Sequence, residues 1–306
     1  MKFGVQHGVG DPAWTPAILT PHEVKRFVQT AERIGFDAIA FTDHPAPSAR
    51  WVDSGGEGVA DLFTSLAFCA AASETIRLLS WVLVPPYRNP FITAHQVATL
   101  DHLSGGRVTL GLGTGYLKSE FYALGVDPER KRAAFEEAVL IMKQVWAGHD
   151  VDHDGHGFSA RGVRAVPAAL QTPHPPLWIH GNTDWGMNYA VNHAQGWIGM
   201  VVSEQQVRTI RTRPIVDLDA FEHRVEDVRV ACEQAGRSVN ELEIVCTGVW
   251  GMLDLRDSLH ASNMCADVDR LATMGVTSIV FNVCGDDPDA SVETIEWFAD
   301  AVINRR

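Results

Sequence analysis

Short apolar runs rich in β-branched residues alternate with amphipathic helical patterns along almost the whole chain, and this alternation constrains the fold most strongly. Eight strand-like runs occur, each followed by a helical or loop segment: 3–6, 37–42, 77–84, 107–112, 177–180, 196–202, 242–249 and 277–283. Parallel strands joined by helices form either a closed barrel or an open doubly wound sheet. The open sheet is typically marked by a GxGxxG turn after its first strand, and the sequence has none there.

The number of strand–helix units therefore predicts the α/β class and a (β/α)8 TIM barrel, formed as a single domain by residues 1–306. Such a barrel needs roughly 250 residues, so part of this chain is surplus. The surplus lies mainly at about 149–176, where turn residues flank short alternating runs. We interpret this segment as a hairpin-like insertion before the fifth barrel strand.

Composition excludes several classes of partner. The chain has 25 basic and 38 acidic residues, a formal net charge of −13, so binding to nucleic acid or to anionic lipid by bulk charge is not expected. No apolar run approaches the ~20 residues of a membrane span, and no signal-peptide pattern opens the sequence. Five scattered cysteines without a CxxC pair are typical of reduced thiols, so we expect a cytoplasmic protein.

Two glycine-containing turns follow predicted strands and could together hold a phosphate. Parallel strands place such turns at one rim of a barrel, where backbone N–H groups and helix N-termini bind anions. Glycine is also the usual residue in any tight turn, so each turn alone has an ordinary structural explanation. Their occurrence at two strand ends favours the phosphate site; the residues are Gly113, Thr114, Gly115 and Tyr116, and Gly181, Asn182 and Thr183.

His44 directly follows the second strand, so its imidazole is expected at the barrel mouth, where it could transfer a proton near neutral pH. A structural histidine that binds a backbone carbonyl is the alternative. Asp43 is expected to orient a neighbouring group or to cap the turn. His7 and His180 also end strands and keep a metal-dependent hydrolase open, but the first strand lacks the paired histidines of such barrels, so no metal is predicted. His153 and His156 are expected to be solvated.

Four stretches of sequence resemble one known family. They are FDAIAFTDH, SWVLVPPYRNP, AHQVATLDHLSGGRVTLGLGTGYLKSEFYALGVD and PPLWIHGNTDWGMNYAVNHAQGWI. The chain resembles the bacterial luciferase-like flavin and deazaflavin oxidoreductases over its full length, and looks most similar to the actinobacterial branch that uses coenzyme F420. The resemblance implies a (β/α)8 barrel with an insertion near the fifth strand.

The resemblance also implies a cofactor site. The cofactor phosphate would lie on the two glycine-containing turns. A non-prolyl cis peptide at Trp81–Val82, in the bulge that starts at Ser80, would back the tricyclic ring, although Trp81 could equally be an ordinary core residue. His44 would face the ring, with Asp43 beside it. The acidic tail of F420 would need cations, for which Lys118 and Arg88 are the candidates.

One position departs from the family pattern. Some deazaflavin dehydrogenases of this family carry an acidic proton donor directly after Gly-Thr-Gly, whereas this chain has Tyr116. The departure disfavours a sugar-phosphate dehydrogenase and favours a reductase or monooxygenase with another substrate. Glu120, one helical turn further on, could partly substitute for the missing acid.

The leading hypothesis is an oxidoreductase that transfers hydride between F420 and a small organic substrate, with His44 assisting the proton step. An FMN-dependent luciferase-like monooxygenase is the alternative, and a barrel whose ring pocket has closed is a further one. Loops at 9–19 and 45–58 are expected to line the substrate pocket, and Trp14 and Trp51 in them suggest an apolar or aromatic substrate. Family members are often dimers, so a homodimer is possible, although the residues leave the oligomeric state open.

Overall fold

Eight parallel strands close into a barrel in the computed structural model, which describes residues 1–9, 15–155, 157–255 and 260–305. The neighbours around the barrel are β1, β10, β9, β8, β7, β4, β3 and β2, in that order. The strands are β1 Lys2–Val9, β2 Ala38–Phe41, β3 Arg77–Leu83, β4 Val108–Leu112, β7 Leu177–His180, β8 Gly196–Met200, β9 Glu243–Leu253 and β10 Ser278–Cys284, with β5 Val151–Asp154 and β6 Ser159–Val163 outside the barrel. The predicted TIM barrel is confirmed.

Helices connect the strands and pack around the barrel. They are α1 Pro21–Arg33, α2 Ala49–Asp53, α3 Leu62–Ala72, α4 Pro90–Leu103, α5 Lys118–Ala123, α6 Lys131–Trp146, α7 Asp184–His193, α8 Glu204–Ile210, α9 Leu218–Gln234, α10 Ala261–Thr273 and α11 Pro288–Ala301. Short 3-10 turns lie at Pro16–Leu19, Pro85–Tyr87, Pro128–Arg130, Val239–Glu241 and Ile303–Arg305. None of the helices within the described residues is both long and apolar enough to cross a bilayer.

Local sequence signals explain why the helices begin where they do. Thr20 caps α1 by accepting a hydrogen bond from the Glu23 N–H, and Pro21 occupies the first helical position, where no N–H is needed. One face of α1 is buried, at Val24, Phe27, Val28 and Ala31, which follow the 3.6-residue period. The caps therefore fix the ends of the helices, and the apolar faces fix their orientation on the barrel.

The core of the described chain has two main layers, apart from a small separate cluster of Val84, Tyr87 and Phe121. The larger one lies between the barrel and its helices, and the smaller one fills the barrel interior with Ala38, Ala40, Leu79, Trp81, Trp178, Ile198, Val245 and Val280. The Trp178 indole fits inside because a glycine lies against it: a Cβ added at Gly196 would come within 2.3 Å of the Trp178 ring. The interior below the mouth is therefore packed with side chains, so any ligand must bind above it.

The segment before the fifth barrel strand contains the antiparallel pair β5–β6. This pair is held against α6 by Glu137, which lies 2.9 Å from His153 Nε2 and also accepts a hydrogen bond from the Gly157 N–H. The expectation that His153 is solvated is wrong, because its side chain is only 13% exposed and paired with Glu137. His156 lies outside the described residues.

Candidate active site

All eight barrel strands end at one cavity of about 550 Å³. Its lining from the strand ends includes Gln6, Thr42, Asp43, His44, Trp81, Val82, Gly113, Thr114, Gly115, Tyr116, His180, Gly181, Thr183, Met200, Val201, Thr247, Gly248 and Asn282. The volume is within the usual range of small-molecule sites, roughly 300–1,000 Å³. Most of the residues predicted from strand ends are therefore brought together, and Ser80 and Asn182 are the two that do not line the cavity.

The wall formed by β3 is shaped by the Trp81–Val82 peptide bond, which is cis, as the family resemblance implied. The pairing of β3 with β4 shifts register between Ser80 and Leu83, so the strand bulges at this bond. Ser80 lies behind the wall: it is fully buried, and its hydroxyl donates to the Gly111 carbonyl at 2.8 Å. Ser80 thus holds the bulge against β4 and does not face a ligand.

The first glycine-containing turn presents backbone N–H groups to the cavity. The Gly113 N–H is already used, because it donates to the Leu83 carbonyl. The next three N–H groups, of Thr114, Gly115 and Tyr116, make no hydrogen bond to any described residue. The backbone at Gly115 has φ +74°, which favours glycine, and an added Cβ would come within 2.9 Å of the Phe121 ring. The turn therefore has donors available for an anion.

The second turn leads into α7. The Gly181 N–H donates to the Ile198 carbonyl, and the buried Asn182 side chain binds both the N–H and the carbonyl of Met200. Asn182 therefore fixes the turn to the end of β8. Thr183 caps α7 by accepting from the Gly186 N–H, and Thr183 and Gly186 both line the cavity. The positive end of the α7 dipole thus points at the cavity.

Three cations of the described residues line the same cavity: Lys131, Arg132 and Arg211. Lys131 Nζ donates to the Gly115 carbonyl at 2.7 Å, which places this ammonium directly beside the first turn. Burial lowers the pKa of Lys131, and the positive charges of Arg132 and Arg211 lower it further. This local excess of positive charge, in a protein with a net charge of −13, favours an anionic ligand.

The cations expected from sequence to meet an acidic tail, Lys118 and Arg88, are not in the cavity lining. Lys118 pairs with Glu129 at 2.6 Å on the surface. Arg88 forms a two-pronged ion pair with Asp43, each N–O distance being 2.6 Å. Asp43 also accepts the Val84 N–H at 3.0 Å, so it joins the end of β2 to the chain after β3. Neither residue is therefore placed to meet a tail inside the cavity, and their role as tail-binding residues stays a prediction.

His44 lies in the cavity wall with its ring held on two sides. Its Nδ1 is 2.9 Å from Glu120 Oε2, and its Nε2 is 3.4 Å from the Tyr116 hydroxyl. Its ring also lies 4.9 Å from that of Trp51. An ionised Glu120 can only accept, so His44 Nδ1 carries a hydrogen and Nε2 is the atom left to exchange a proton. The alternative of a histidine that binds a backbone carbonyl does not describe this geometry.

Glu120 is completely buried and has three hydrogen-bond donors around its carboxylate. Besides His44, the Tyr87 hydroxyl donates to Oε2 at 2.9 Å and the Ala46 N–H donates to Oε1 at 3.3 Å. Its place is therefore behind the imidazole, where it orients the ring. The role foreseen from sequence, a direct substitute for the missing acid at position 116, does not fit a carboxylate with no exposed surface.

The charges around His44 determine how it titrates. Burial by itself lowers the pKa of His44, but the hydrogen bond with Glu120 and the negative charges of Glu120, Glu57 and Asp43 outweigh burial, so the pKa is raised above 6.5. Burial raises the pKa of the Glu57 carboxyl, which also lines the cavity, while His44 lowers it. Burial likewise raises the pKa of Tyr116, so its hydroxyl stays protonated and available as a donor.

The other strand-end histidines do not join His44 in a metal site. His7 packs between aromatic rings, stacked on Phe41 at 5.1 Å, and burial lowers its pKa to about 4. Burial also lowers the pKa of His180 to about 4. Within the described part of the chain, the one group with metal-ligand spacing is Asp254, Cys284 and Asp286, which contains no histidine.

Sequence reasoning missed Glu57, Lys131, Arg132 and Arg211. The Lys131-Arg132 pair opens α6, the second helix after the first glycine-containing turn, and two adjacent cations in an acidic chain were a usable signal. Glu57 and Arg211 had none, since Glu57 lies in a loop and Arg211 at the C-cap of α8, both far from any strand end. Among the expected aromatic residues, Trp51 contacts His44, Trp81 lies in the barrel interior, and Trp14 falls outside the described residues.

Known proteins share this architecture. A family model described as luciferase-like monooxygenase matches residues 1–254. The F420-dependent glucose-6-phosphate dehydrogenase of Nocardia farcinica is 28% identical over 301 residues, covering 93% of this chain and 86% of the relative. A monooxygenase from Streptomyces bottropensis has a TM-score of 0.75 at 20% identity, covering 100% and 99% of the two chains. The F420-dependent tetrahydromethanopterin reductase of Methanopyrus kandleri has a TM-score of 0.74 at 17% identity, covering 99% of both.

The family match covers well over half of the chain, and the two solved structures share its fold from end to end. Both solved structures agree with the barrel fold described above. The resemblance predicted from the sequence is confirmed: this chain belongs to the luciferase-like monooxygenase family.

Proposed function

We propose that this protein is an oxidoreductase that binds coenzyme F420 and exchanges hydride between it and a small organic substrate. One observation carries the proposal: free backbone donors, a helix N-terminus and three cations line the same cavity as His44, whose ring is hydrogen-bonded to Glu120 behind it. A site of this kind joins an anion-binding surface to a group that transfers protons. F420 has a phosphate, an acidic tail and a ring that carries hydride.

The donor set fits such a cofactor. The N–H groups of Thr114, Gly115 and Tyr116 and the N-terminus of α7 would hold its phosphate. Lys131, Arg132 and Arg211 would bind the acidic tail, and the bulge at Trp81–Val82 would support the ring. The close approach of Val82 to Gly113, where an added Cβ would come within 2.7 Å of Val82 Cγ2, shows that this wall and the turn leave no room for a side chain between them.

The bound deazaflavin would supply or accept the hydride. His44 would hold the accompanying proton on Nε2, where a reacting oxygen or nitrogen of the substrate could exchange it. Glu120 would keep the imidazole in one orientation and stabilise its charged form. The Tyr116 hydroxyl, which stays protonated, would donate a hydrogen bond at the same place. The fixed partners on both sides of the ring reduce the reorganisation that proton transfer requires.

A second candidate, an FMN-dependent monooxygenase, is favoured by the family description and by the Streptomyces bottropensis neighbour. FMN has one phosphate and no acidic tail. Three cations in addition to two sets of backbone donors exceed what one phosphate needs, and this excess favours F420.

The substrate is proposed to be small, because cofactor and substrate must share about 550 Å³. Trp185, Met200, Val201, Ile210 and Met252 contribute apolar surface to the lining, which suits an apolar or aromatic molecule. The name of the Nocardia farcinica relative gives glucose 6-phosphate as its substrate. This chain has the neutral Tyr116 where some dehydrogenases of the family have an acidic proton donor, so we propose a different substrate for it. We also propose a homodimer, which light scattering would test by measuring the molar mass of the protein in solution.

Cofactor titrations test the proposed function. Apo-protein is titrated with F420, with FMN and with the deazaflavin chromophore that lacks phosphate and tail, each followed by absorbance. We expect saturable binding of F420, much weaker binding of the bare chromophore, and weaker binding of FMN. Tighter binding of FMN than of F420 would favour the monooxygenase, and binding of neither would overturn the proposal.

A further inference from the structure

Four charged side chains form a closed ring of ion pairs beside the second glycine-containing turn. Asp184, the first residue of α7, has its Oδ1 2.9 Å from Arg213 Nη1 and 2.9 Å from Arg224 Nη1. Asp227 Oδ2 closes the ring, at 3.5 Å from the same Arg213 nitrogen and 2.8 Å from the same Arg224 nitrogen. The ring therefore joins α7 to α9 and to the chain that follows α8.

Arg224 anchors this ring in the interior of the protein. Its side chain is 2% exposed, whereas the other three members of the ring lie at the surface. The Nε and Nη2 atoms of Arg224 are also buried, and neither has a hydrogen-bond partner among the described residues. A buried guanidinium that is only partly paired lowers the stability of a fold, so its presence here favours a role in function.

The ring also holds a carboxylate away from the cavity. Thr183, Trp185 and Gly186 line the cavity, whereas Asp184, in the same helical turn, does not. An acidic side chain in the first turn of a helix can occupy the positive end of the helix dipole, where an anionic ligand would otherwise bind. Because two arginines bind the Asp184 carboxylate, the N-terminus of α7 stays open to a phosphate.

The same ring fixes a segment that helix packing does not hold. Arg211 and Thr212 line the cavity directly before Arg213, and α8, which Arg211 ends, buries none of its residues. The segment is tied to the second turn instead: the Arg213 side chain pairs with Asp184, and the Arg213 carbonyl accepts a hydrogen bond from Asn182 Nδ2 at 3.2 Å. Asp184 thus connects Arg211, one of the cavity cations, to the N-terminus of α7.

We propose that Asp184 is a positioning residue of the anion site: through the ring of ion pairs it holds Arg211 beside the N-terminus of α7, so that both bind one anionic ligand. The inference rests on the proposed function, in which α7 holds the phosphate of F420 and Arg211 meets the acidic tail that extends from it. Asp184 itself does not touch the ligand. An acidic side chain outside the cavity thereby increases the affinity of the cavity for an anion.

Removal of the Asp184 charge distinguishes positioning from a simple effect of charge. If charge alone mattered, Asp184→Asn would tighten the binding of F420, because a negative charge near the anion site is lost. If Asp184 positions Arg211, Asp184→Asn should raise the Kd for F420 by about three- to tenfold, and Asp184→Glu should recover part of the affinity. An unchanged or lower Kd in Asp184→Asn would overturn the proposal.

The matched control is Asp289→Asn. It removes another exposed acid from the first turn of a helix, α11, where Asp289 also pairs with an arginine, Arg26. This variant should leave the Kd for F420 at the value of the wild type, because α11 contributes no residue to the cavity lining among the described residues. A loss of affinity in Asp289→Asn as large as that in Asp184→Asn would overturn the specific role of Asp184.

A double-mutant cycle tests whether Asp184 acts through Arg211. Arg211→Ala and the double variant Asp184→Asn/Arg211→Ala should bind F420 equally weakly, since the cation that Asp184 positions is absent from both. If Asp184→Asn weakens binding in the Arg211→Ala protein as much as it does in the wild type, the proposal is overturned.

Hydrogen exchange of the apo-protein, measured by mass spectrometry, tests the ring without any cofactor. Asp184→Asn should speed the exchange of the backbone amides of residues 204–213 by about fivefold or more, because the segment then opens more often, whereas Asp289→Asn should not. Equal exchange in Asp184→Asn and in the wild type would overturn the role of the ring. A wild-type protein that does not bind F420 would instead overturn the proposed function, and the exchange rates would still decide whether Asp184 holds the segment.

Discussion

His44 and Glu120 are 76 positions apart in the chain, and the barrel brings them to within 2.9 Å of each other. The imidazole lies in the wall with 9% of its side chain exposed, and the carboxylate behind it is fully buried. A histidine placed in this way has Nδ1 fixed by Glu120 and Nε2 beside the Tyr116 hydroxyl in the cavity wall.

Replacing His44 by Ala is expected to lower the rate of hydride exchange by about 10²–10⁴-fold, because the proton-transfer group is removed. F420 binding should change much less, since the phosphate and tail contacts lie elsewhere in the cavity. Steady-state rates and cofactor titrations measure the two effects separately. If the rate is unaffected, His44 has a structural role only.

Glu120→Gln is expected to lower the pKa of His44. The carboxylate raises this pKa against the effect of burial, and a neutral amide cannot stabilise the imidazolium in the same way. The His44 Cε1–H resonance, followed by NMR as a function of pH, measures the change. Glu129→Gln, at an exposed residue on the surface, is the control and should leave the His44 titration in place. An unshifted His44 titration in Glu120→Gln would contradict the pairing.

At the scale of the element, the turn after β4 combines a positive φ with close packing. Gly115 and Gly125 have nearly the same backbone angle, φ +74° and +73°, but only Gly115 is crowded. The crowding comes from Phe121 and Val84, which an added Cβ would meet at 2.9 and 3.0 Å. The two glycines thus separate the effect of conformation from the effect of packing.

Gly125→Ala is expected to cost about 1 kcal/mol of the free energy of unfolding, because alanine disfavours this backbone angle. Gly115→Ala should cost about 2–4 kcal/mol, because overpacking adds to the same conformational term. Urea denaturation of both variants gives the difference. Gly115→Ala should also weaken F420 binding, whereas Gly125→Ala should not. Equal losses of stability would mean that the neighbours of Gly115 move aside easily.

The start of α6 supplies two of the cavity cations, and the end of α8 supplies the third. Lys131→Ala, Arg132→Ala and Arg211→Ala are each expected to raise the Kd for F420 by about tenfold, since a charge-assisted hydrogen bond is worth roughly 1.5–3 kcal/mol before losses to screening. The effect should shrink at high salt. Lys25→Ala, on the exposed surface of α1, makes the same change in net charge and should have little effect. If Lys25→Ala weakens F420 binding as much as the three cavity variants do, the effect is one of net charge in general.

In the molecule as a whole, the net charge of −13 and the charge of the cationic cavity have opposite signs. The overall field repels an anionic cofactor, so local groups must hold it at short range. Buried titratable side chains add a second global property, the dependence of stability on pH. His7 and His180 are the described histidines whose pKa values are lowered to about 4.

His7 is expected to make the fold less stable in acid. Its pKa is about 4 in the folded protein, against about 6.5 for an ordinary histidine, so the unfolded chain binds more protons between these pH values. The contribution of the neutral His7 to the free energy of unfolding is complete above about pH 6.5. As the pH falls toward about 4, up to roughly 3 kcal/mol of it is lost. His7→Phe, which keeps an aromatic ring against Phe41, should flatten the pH dependence of unfolding in this window. His22→Phe, at an exposed histidine, is the control: its free energy of unfolding should depend on pH as steeply as that of the wild type.

The sequence by itself determined the order of strands and helices, the barrel, and the turns at the rim. These follow from local patterns: Thr20 and Pro21 start α1 wherever the helix packs, and a glycine after a strand forms a turn in any fold. Parallel strands then bring their carboxyl ends to one rim as a matter of geometry. His44, Gly115 and Thr183 could therefore be placed at one cavity before any coordinates were known.

Only the tertiary structure decided which side chains at that rim face a ligand and which face each other. Arg88 forms an ion pair with Asp43, and Asn182 is hydrogen-bonded to the end of β8. Lys131 and Glu57 line the cavity instead. Such choices depend on pairings between residues tens of positions apart and on how burial balances charge. A linear pattern of residue types does not contain those distances, because they arise only when the barrel closes.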